Sequence, residues 1–352
     1  MSHSISRRSL AKGAIAATFT GAIPWRSVRA QEPRTKIRMG MVRLISSGPM
    51  FISEARKLAD RVNLDIEFQY FADGALAIPA LVAGEIDVAA STLNAGLFNT
   101  VAKGAPFKLI LDRGIERPGF GSMTIVASNA MVEAGYTVGK GAMLKGKRIA
   151  IQAPGSIDQY LLGREAQKAG LDPRTDLNWS SGMPYPDMVR LMGAGQTDVA
   201  NIPVPLAFLA ENNKFGKIVG TGADIEPNTQ LGCFVMSTRF LEANRSAAVR
   251  FCMLHTYAAR LFTKAAQEKD PEIIKIISDA TKVPERLIAA AAPRWTWYDE
   301  HGMPNVESAD AQFSFVSQTM RLVTGKVTRE MLFDLGPAKE AAEGLKAKNP
   351  FI

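Results

Sequence analysis

The nine residues GEIDVAAST, from Gly84 to Thr92, are nearly repeated 111 residues later as GQTDVANIP, from Gly195 to Pro203. Each copy has a glycine, two further residues, an aspartate and then Val-Ala. Glycine is the residue that most often ends a helix in the left-handed conformation, and the apolar run after the aspartate is typical of a buried strand. The repeated phrase therefore predicts the same junction between a helix and a strand twice in one chain.

The sequence around each copy shows the same alternation of strands and helices. Before the first copy we predict strands at 36–42 and 64–71, a helix that begins at Pro49, and a short helix at 78–83. Before the second copy we predict a strand at 148–152, a helix from about Ile157 to Ala169, and a short helix at 187–194. Such alternation is typical of a largely parallel sheet covered by helices. The chain therefore predicts an α/β fold with two similar lobes.

Two further segments resemble each other and suggest how the lobes are connected. GSMTIVASNAMVEAG begins at Gly121 and GCFVMSTRFLEAN begins at Gly232, and each reads as an apolar strand followed by a helix. We interpret them as two hinge strands, through which the chain leaves and re-enters the first lobe. The expected organisation is a leader at 1–30, lobe 1 at 31–122, lobe 2 at 123–231, and the rest of lobe 1 with a helical C-terminal extension at 232–352.

The N-terminus carries the pattern of an export signal. Arg7 and Arg8 lie in the stretch SRRSLAK, a modestly apolar segment follows at 13–25, and small residues precede Ala30. This pattern resembles a twin-arginine signal, so we expect cleavage after Ala30 and a soluble periplasmic protein. A disordered basic tail is the alternative interpretation.

Composition excludes several other classes of protein. The chain has a net charge of +8, and removal of the five basic residues of the leader leaves +3. No run of Lys and Arg with interleaved aromatic residues follows the leader, so no nucleic-acid partner is expected. No apolar run reaches the length of a membrane-spanning helix. Cys233 and Cys252 could pair in an oxidising compartment, but two buried free thiols are the favoured interpretation.

The sequence lacks the usual catalytic and metal-binding motifs. It has no nucleophile elbow, no HExxH and no CxxC, and only His255 and His301 follow the leader. The segments beginning at Gly193 and Gly220 start like a dinucleotide-binding loop but have no third glycine. We therefore expect a binding protein with no catalytic residue, no metal and no cofactor.

The loops at the carboxyl ends of the predicted strands are the expected binding site. Ligands of open α/β sheets bind at this edge, where helix N-termini present unpaired backbone N–H groups that suit a carboxylate or a sulfonate. These loops contain Ser46, Ser47, Ser91, Thr92, Gly155, Ser156 and Pro203. The alternative for each hydroxyl is a helix cap, and Ser156 with Gln159 fits a capping box.

Three other kinds of residue lie near this edge of the predicted sheets. Arg43 and Arg113 follow predicted strands, and a guanidinium there would grip an anion, although a surface position is the alternative. Tyr185 would stack on a ligand. Asp87 and Asp198, the aspartates of the repeat, are expected to accept hydrogen bonds from turn backbone groups at the helix–strand junction rather than to bind a ligand.

The whole chain after the leader resembles one known family. IRMGMVRLISSGPMFISEARKLADRVNLDIEFQYFADG, ALVAGEIDVAAST, LKGKRIAIQAPGSIDQYLL and MVRLMGAGQTDVANIPVPLAFL resemble periplasmic substrate-binding proteins of nitrate/sulfonate/taurine-type ABC transporters. DRGIERPGFGSMTIVAS and the segment from Asn305 to Leu332 are similar to one large branch of that family. The match is a pattern spread along the chain rather than one sharp motif.

The resemblance implies a type II periplasmic-binding-protein fold, with a ligand held between lobes that two hinge strands join. It also implies a monomer that delivers its ligand to a membrane permease powered by a separate ATPase. Two alternatives remain open at this point. One is an enzyme on the same fold, like those that make a thiamine pyrimidine precursor, although their cysteine-rich motif and cofactor lysine are missing here. The other is a solute receptor for a different transporter or a sensor.

Overall fold

The computed structural model describes residues 34–72 and 74–352, so the predicted leader lies outside the described residues. The strands are β1 (Thr35–Met41), β2 (Leu64–Tyr70), β3 (Val88–Thr92), β4 (Phe107–Asp112), β5 (Ile115–Glu116), β6 (Met123–Ser128), β7 (Arg148–Ala150), β8 (Asn178–Ser180), β9 (Val199–Pro203), β10 (Gly216–Thr221), β11 (Thr229–Gln230) and β12 (Gly232–Ser237). The α-helices are α1 (Gly48–Ala55), α2 (Ala77–Ala83), α3 (Ala95–Ala102), α4 (Asn129–Glu133), α5 (Ile157–Lys168), α6 (Tyr185–Gly193), α7 (Ala207–Asn212), α8 (Gly222–Ile225), α9 (Thr238–Ala243), α10 (Arg245–Glu268), α11 (Pro271–Thr281), α12 (Glu285–Ala291), α13 (Val306–Ser314), α14 (Arg329–Leu332) and α15 (Gly336–Ala347).

Two five-stranded sheets share one topology. The first has the strand order β2-β1-β3-β12-β4, and the second has β8-β7-β9-β6-β10. In each sheet one strand, β12 or β6, runs antiparallel to both of its neighbours, while the other four are parallel to one another. The repeated phrase forms β3 in one sheet and β9 in the other, and its glycines Gly84 and Gly195 both have positive φ. The predicted α/β fold with two similar sheets is confirmed.

The two segments interpreted as hinge strands occupy equivalent places, but each lies wholly within one sheet. β6 is the antiparallel strand of the second sheet, and β12 is the antiparallel strand of the first. The chain crosses between the sheets through β5 and β11, which pair with each other. The sequence did not indicate these connecting strands because two residues are too few to show an alternation of apolar and polar side chains.

The first predicted helix is shorter in the structure than its apolar pattern indicates. The apolar spacing from Met50 to Val62 predicts one continuous helical face, but α1 ends at Ala55 and a 3-10 helix follows at Leu58–Val62. Lys57 separates the two in the left-handed conformation, with φ of 51°. The apolar side chains of both pieces still enter one core, so the spacing was informative although the backbone is interrupted.

The C-terminal segment packs against α3, which precedes β4 of the first sheet, and against α5, which precedes β8 of the second. Phe313 contacts Phe98 of α3 with ring centroids 5.4 Å apart, and Phe315 contacts Tyr160 of α5 at the same distance. Phe315 begins a short π-helical turn, Phe315–Thr319, which continues α13. Residues 306–319 therefore connect elements of the first sheet with elements of the second.

Cys233 and Cys252, elsewhere in the chain, are both buried free thiols.

Candidate ligand-binding site

A cavity lies where strands of both sheets end. The cavity volume is about 60 Å³, whereas a single buried water needs about 10–15 Å³. It is lined by Val42, Leu44, Ile45, Ser46, Ala72, Gly74, Thr92, Arg113, Ser122, Met123, Gln152, Ile157, Tyr185, Pro203, Val204, Leu231 and Thr296. Most of these residues follow β1, β2, β3, β4, β7 or β9 or begin a helix, so both sheets contribute to one cavity of small-molecule size.

Arg113 supplies the only formal charge among the described residues that line this cavity. It follows β4, is only 4% exposed, and donates its backbone N–H to the carbonyl of Gly232 over 3.1 Å. Its guanidinium Nη2 lies 3.4 Å from Oγ of Ser46, another lining residue. A cation held away from water favours an anion in contact with it, because the anion replaces part of the lost solvation.

The groups behind Arg113 do not add a second positive charge. His255 of α10 is buried between Phe234 and Tyr298. Burial, and then the positive charge of Arg113, lowers the pKa of His255 to about 3, so its imidazole is neutral at neutral pH. The hydroxyl of Tyr298 donates to the carbonyl of Ser46 and fixes the loop that faces Arg113.

Asp112, immediately before Arg113, is fully buried. Its carboxylate accepts hydrogen bonds from the backbone N–H of Gly114 (2.7 Å), from Nε2 of Gln230 (2.7 Å) and from the backbone N–H of Asp299 (2.9 Å). Burial raises the pKa of Asp112 to about 7, while these three donors act in the opposite direction. The carboxylate is therefore held by a fixed set of donors in the segment that carries Arg113.

Five residues predicted from the sequence line the cavity: Ser46, Thr92, Arg113, Tyr185 and Pro203. They come from the loop after β1, the end of β3, the connection after β4, the start of α6 and the end of β9. The rule that places a site at the carboxyl ends of strands therefore selects residues that lie together. That they contact a ligand stays a prediction.

Ser47 and Ser91 were predicted beside them and do not line the cavity. The hydroxyl of Ser47 donates to the carbonyl of Val42 over 2.7 Å, within its own loop. Ser91 is fully buried, and its hydroxyl donates to the carbonyl of Thr92 over 3.1 Å. Side chains alternate along a strand, so when Thr92 faces the cavity the adjacent Ser91 faces the other way.

Gly155 and Ser156 also lie outside the lining. Gly155, with φ of 73°, packs so closely on Ala95 that an added Cβ would lie 2.8 Å from the Ala95 nitrogen. Ser156 is the N-cap of α5, but its side chain makes no capping bond, and its hydroxyl instead donates to Oδ2 of Asp158 over 3.3 Å. The capping box is not formed as predicted: Oε1 of Gln159 accepts from the N–H of Gly155.

Asp158 changes the interpretation of this helix terminus. It is fully buried in the first turn of α5, and its Oδ2 accepts the backbone N–H of Gln152 over 3.0 Å. Its Oδ1 lies 3.4 Å from the hydroxyl of Tyr185. A carboxylate already complements the dipole of this helix, so an anion at the N-terminus of α5 would lie near a second negative charge.

Arg43 lies at the mouth of the site. A second space of about 240 Å³ adjoins the cavity and shares Leu44, Ile45, Ala72, Gln152 and Tyr185 with it. The guanidinium of Arg43 stacks over the ring of Tyr70, 3.6 Å from its centroid, and donates to the carbonyl of Ala280 over 2.8 Å. Arg43 therefore faces the entrance, while Arg113 faces the interior.

Several lining residues were missed by the sequence reasoning. Gln152 directly follows β7, so the strand-end rule applied consistently would have selected it. Ile45 lies in the predicted loop after β1, but only the arginine and serines of that loop were predicted to bind the ligand. Ser122 and Leu231 flank the connecting strands, whose positions were not predicted. Thr296 comes from the C-terminal part, and no sequence signal pointed to it.

The part of the chain that the structure describes has neither a metal-binding cluster nor a membrane-spanning helix. No group of three or more His, Cys, Asp or Glu residues there is placed to hold a metal ion. Within the same residues, none of the helices has the length and apolar character needed to cross a bilayer.

The fold defined by these two sheets is that of the periplasmic binding proteins. A ligand-binding component of an ABC-type import system from Staphylococcus aureus matches with a TM-score of 0.71 at 15% identity, over 87% of this chain and 99% of that one. The periplasmic nitrate-binding protein of Synechocystis PCC 6803 matches with a TM-score of 0.75 at 15% identity, over 91% of each chain. The fold expected from the resemblance is confirmed.

A third structure of this kind is the periplasmic aliphatic sulphonate binding protein of Escherichia coli, with a TM-score of 0.66 at 20% identity, over 85% of this chain and 97% of that one. In sequence, residues 30–278 match the NMT1-like family, and the chain belongs to that family. No curated protein sequence is significantly similar to it. Each of these three solved structures is described as a binding protein or as a ligand-binding component.

Proposed function

We propose that this protein is an exported solute-binding protein that captures a small organic anion between its two lobes and delivers it to an ABC permease. Membership of the NMT1-like family and the fold shared with binding components of ABC import systems support this role. The observation that carries the proposal is the enclosed cavity at the carboxyl ends of both sheets, with the buried guanidinium of Arg113 in its wall.

The character of the cavity wall indicates the kind of anion. One positive charge matches one carboxylate or sulfonate group, and the hydroxyls of Ser46, Thr92 and Thr296 supply neutral donors. Much of the remaining wall is aliphatic, from Leu44, Ile45, Met123, Ile157, Val204 and Leu231. A monoanion with an apolar portion fits such a wall better than an inorganic anion does.

A thermal-shift series on the mature protein tests this function. The probes are benzoate, 4-methylpentanoate and butane-1-sulfonate, with benzamide as the neutral counterpart of benzoate. A ligand that binds only the folded protein stabilises it by about 2.7 kcal/mol at a hundred times its dissociation constant. We expect stabilisation by at least one acid, no stabilisation by benzamide, and recovery of the bound acid unchanged. Conversion of a bound probe to a product would support an enzyme instead.

Replacement of Arg113 tests the source of the selectivity. Arg113→Gln removes the charge inside the cavity, so binding of the acid should weaken at least tenfold, and benzamide should still give no stabilisation. Arg117→Gln is the matched control, because Arg117 stacks on Trp297, 4.4 Å from its ring centroid, and does not line the cavity. Equal loss of affinity in both variants would contradict the assignment of Arg113 to the anion.

Delivery to a permease is tested separately from capture. Genes for a permease and an ATPase adjacent to the gene for this protein would supply the partners for reconstitution in liposomes. The loaded mature protein should stimulate ATP hydrolysis and accumulation of the acid inside the liposomes. A protein that binds the acid but stimulates neither process would be a receptor of another kind.

A further inference from the structure

Gln230 is the most extensively hydrogen-bonded side chain near the candidate site. It lies on β11, one of the two connecting strands, and is fully buried. Its Nε2 lies 2.7 Å from Oδ1 of Asp112, 3.0 Å from the carbonyl oxygen of Gly114 and 2.6 Å from that of Gly232, so its two hydrogens are shared among three acceptors. One amide group therefore joins the end of β4, the residue just before β5, and the start of β12.

All three acceptors surround Arg113. Asp112 and Gly114 are its two neighbours in sequence, and the carbonyl of Gly232 also accepts the backbone N–H of Arg113 itself. The connection between β4 and β5 is not part of a regular strand at Arg113, so its backbone conformation depends on these hydrogen bonds. The N–H of Leu231 adds a further bond, to the carbonyl of Gly114 over 2.8 Å.

Gln230 is itself held from the opposite side by the C-terminal segment. Its Oε1 accepts the backbone N–H of Asn305 over 2.6 Å. The backbone N–H of Gln230 donates to the hydroxyl of Ser308 over 2.9 Å. Its carbonyl accepts from Nε2 of Gln312 over 2.8 Å. Both ends of the side-chain amide are therefore used, which fixes its orientation: the oxygen faces Asn305 and the nitrogen faces Asp112.

We infer that Gln230 is the positioning residue for Arg113: it holds the backbone on both sides of that arginine so that the guanidinium faces the cavity. The inference rests on the proposed function, in which Arg113 receives the anion. Gln230 itself does not line the cavity and makes no contact with the ligand in this scheme. It acts on the ligand only through Arg113.

Methionine is the replacement that best isolates this role. Gln230→Met keeps the length of the side chain and its burial, but it cannot donate to Asp112, Gly114 and Gly232. The carboxylate of Asp112 loses one of its three donors, and the backbone around Arg113 loses its side-chain clamp. A buried polar network with missing members loses its defined geometry first.

A matched control breaks the same network on the side away from Arg113. Ser308→Ala removes the acceptor for the backbone N–H of Gln230 and leaves the three bonds of Nε2 in place. Both variants disturb buried polar groups next to β11, so both are expected to lower the melting temperature. Only Gln230→Met should change the arginine.

The first readout needs no ligand. In the 15N spectrum of the mature protein, the Nε–H signal of Arg113 is identified by its absence in Arg113→Lys. We expect its exchange with water to be at least tenfold faster in Gln230→Met than in the wild type, and within twofold of the wild type in Ser308→Ala. Unchanged exchange in Gln230→Met would overturn the inference.

The second readout is the affinity for benzoate and for butane-1-sulfonate by calorimetry. The anion that binds the wild type should bind Gln230→Met at least tenfold more weakly, and Ser308→Ala within twofold. Equal weakening in both variants would mean that Gln230 supports the fold alone, and would also overturn the inference. If no anion binds the wild type, the proposed function fails, while the exchange of the Arg113 signal still decides the role of Gln230.

Discussion

Arg38 and Asp87 form the same paired contact in the first sheet that Arg148 and Asp198 form in the second. In both pairs the aspartate accepts the arginine's backbone N–H and Nε at Oδ2, and its Nη2 at Oδ1. The last of these distances is 2.7 Å in each pair. The aspartates of the repeated phrase thus join β3 to β1 and β9 to β7. Each accepts a backbone N–H, but from the neighbouring strand rather than from the turn where it was expected, and it accepts a guanidinium as well.

Neutralisation of either aspartate should destabilise its sheet. Asp87→Asn and Asp198→Asn each keep the size of the side chain but cannot accept all three hydrogen bonds, so we expect a loss of about 1 kcal/mol in the free energy of unfolding for each. Urea denaturation measures the change. Asp60→Asn is the control, because its pair with Arg34 is more than half exposed and should contribute almost nothing.

The pair in the second sheet should also show a dependence on pH. The hydrogen bond from Arg148 is the main cause that lowers the pKa of Asp198 below its ordinary value. A carboxyl group with a lowered pKa in the folded state stabilises the protein above its unfolded pKa of about 3.9, and this contribution is lost as the pH falls through the folded pKa. The difference between wild type and Asp198→Asn should therefore shrink below about pH 4. A constant difference across that range would contradict the assigned pair.

The repetition explains how much of the fold could be predicted. A glycine that ends a helix and an apolar strand after it are local signals, so β3 and β9 were predicted, and the strand-end rule then selected Thr92 and Pro203 for the cavity. The positions that were missed depend on contacts between distant parts of the chain. Thr296 reaches the cavity from the C-terminal segment, and no local pattern marks it.

The same distinction explains the errors at single side chains. Ser156 has the sequence of a cap and lies at the N-cap position, yet its hydroxyl turns to Asp158 because that buried carboxylate needs donors. The choice between two hydrogen-bond partners depends on the burial of Asp158, which the sequence does not reveal. Arg43 and Arg113 looked equivalent in sequence, and only packing separates the entrance from the interior.

The hydroxyl of Ser156 offers a direct test of this interpretation. Because Ser156 makes no capping bond, Ser156→Ala should cost less than about 1 kcal/mol, from the loss of one long hydrogen bond to Asp158. Ser156→Asp would place a second carboxylate beside the buried Asp158, and we expect it to cost about 2 kcal/mol or more at pH 7. Thermal melts of the two variants give the comparison. If Ser156→Asp were as stable as the wild type, the side chain would be acting as a simple N-cap.

The export prediction concerns residues outside those that the structure describes. Replacement of Arg7 and Arg8 by lysine should leave the precursor inside the cell, because a twin-arginine signal depends on both arginines. N-terminal sequencing of the periplasmic wild-type protein should begin at or near Gln31. A periplasmic protein that retains its N-terminus, or export of the double lysine variant, would contradict the signal assignment.

His255 should make the protein less stable in mild acid. Its folded pKa of about 3 lies below the ordinary value, chiefly because of burial. Between that value and about 6.5 the unfolded chain binds a proton that the folded chain does not, so stability rises with pH across this window and falls as the pH is lowered. From neutral pH to pH 5 the loss that comes from His255 alone should be about 2 kcal/mol, while the raised pKa of Asp112 acts in the opposite direction.

The two histidines of the described chain form a matched pair for this test. Between pH 7 and pH 5 the wild type should lose about 2 kcal/mol more free energy of unfolding than His255→Gln, and His301→Gln, at an exposed position, is the control. Urea denaturation at several pH values measures both. An identical slope in wild type and His255→Gln would show that other groups cause the loss of stability in acid.

The contact between α5 and the C-terminal π-helical turn leaves no room at Gly163. A Cβ added there would lie 2.3 Å from Cζ of Phe315, whose ring packs edge-on against Tyr160. Gly163→Ala should therefore cost about 1–3 kcal/mol, since the ring has to leave its place in a packed core, although alanine favours a helix. Gly344→Ala is the control, because that helical glycine faces only the flexible end of Met253 at 3.3 Å.

We expect Gly344→Ala to be neutral or more stable by up to about 1 kcal/mol, as helix propensity alone predicts. The opposite signs of the two glycine variants then separate packing at Phe315 from the general effect of alanine in a helix. Residues 313–319 contact both α3 and α5. In Gly163→Ala, loss of protection from proteolysis should therefore appear first in this segment. Equal stability of the two variants would show that Phe315 moves freely and does not hold the elements of the two sheets together.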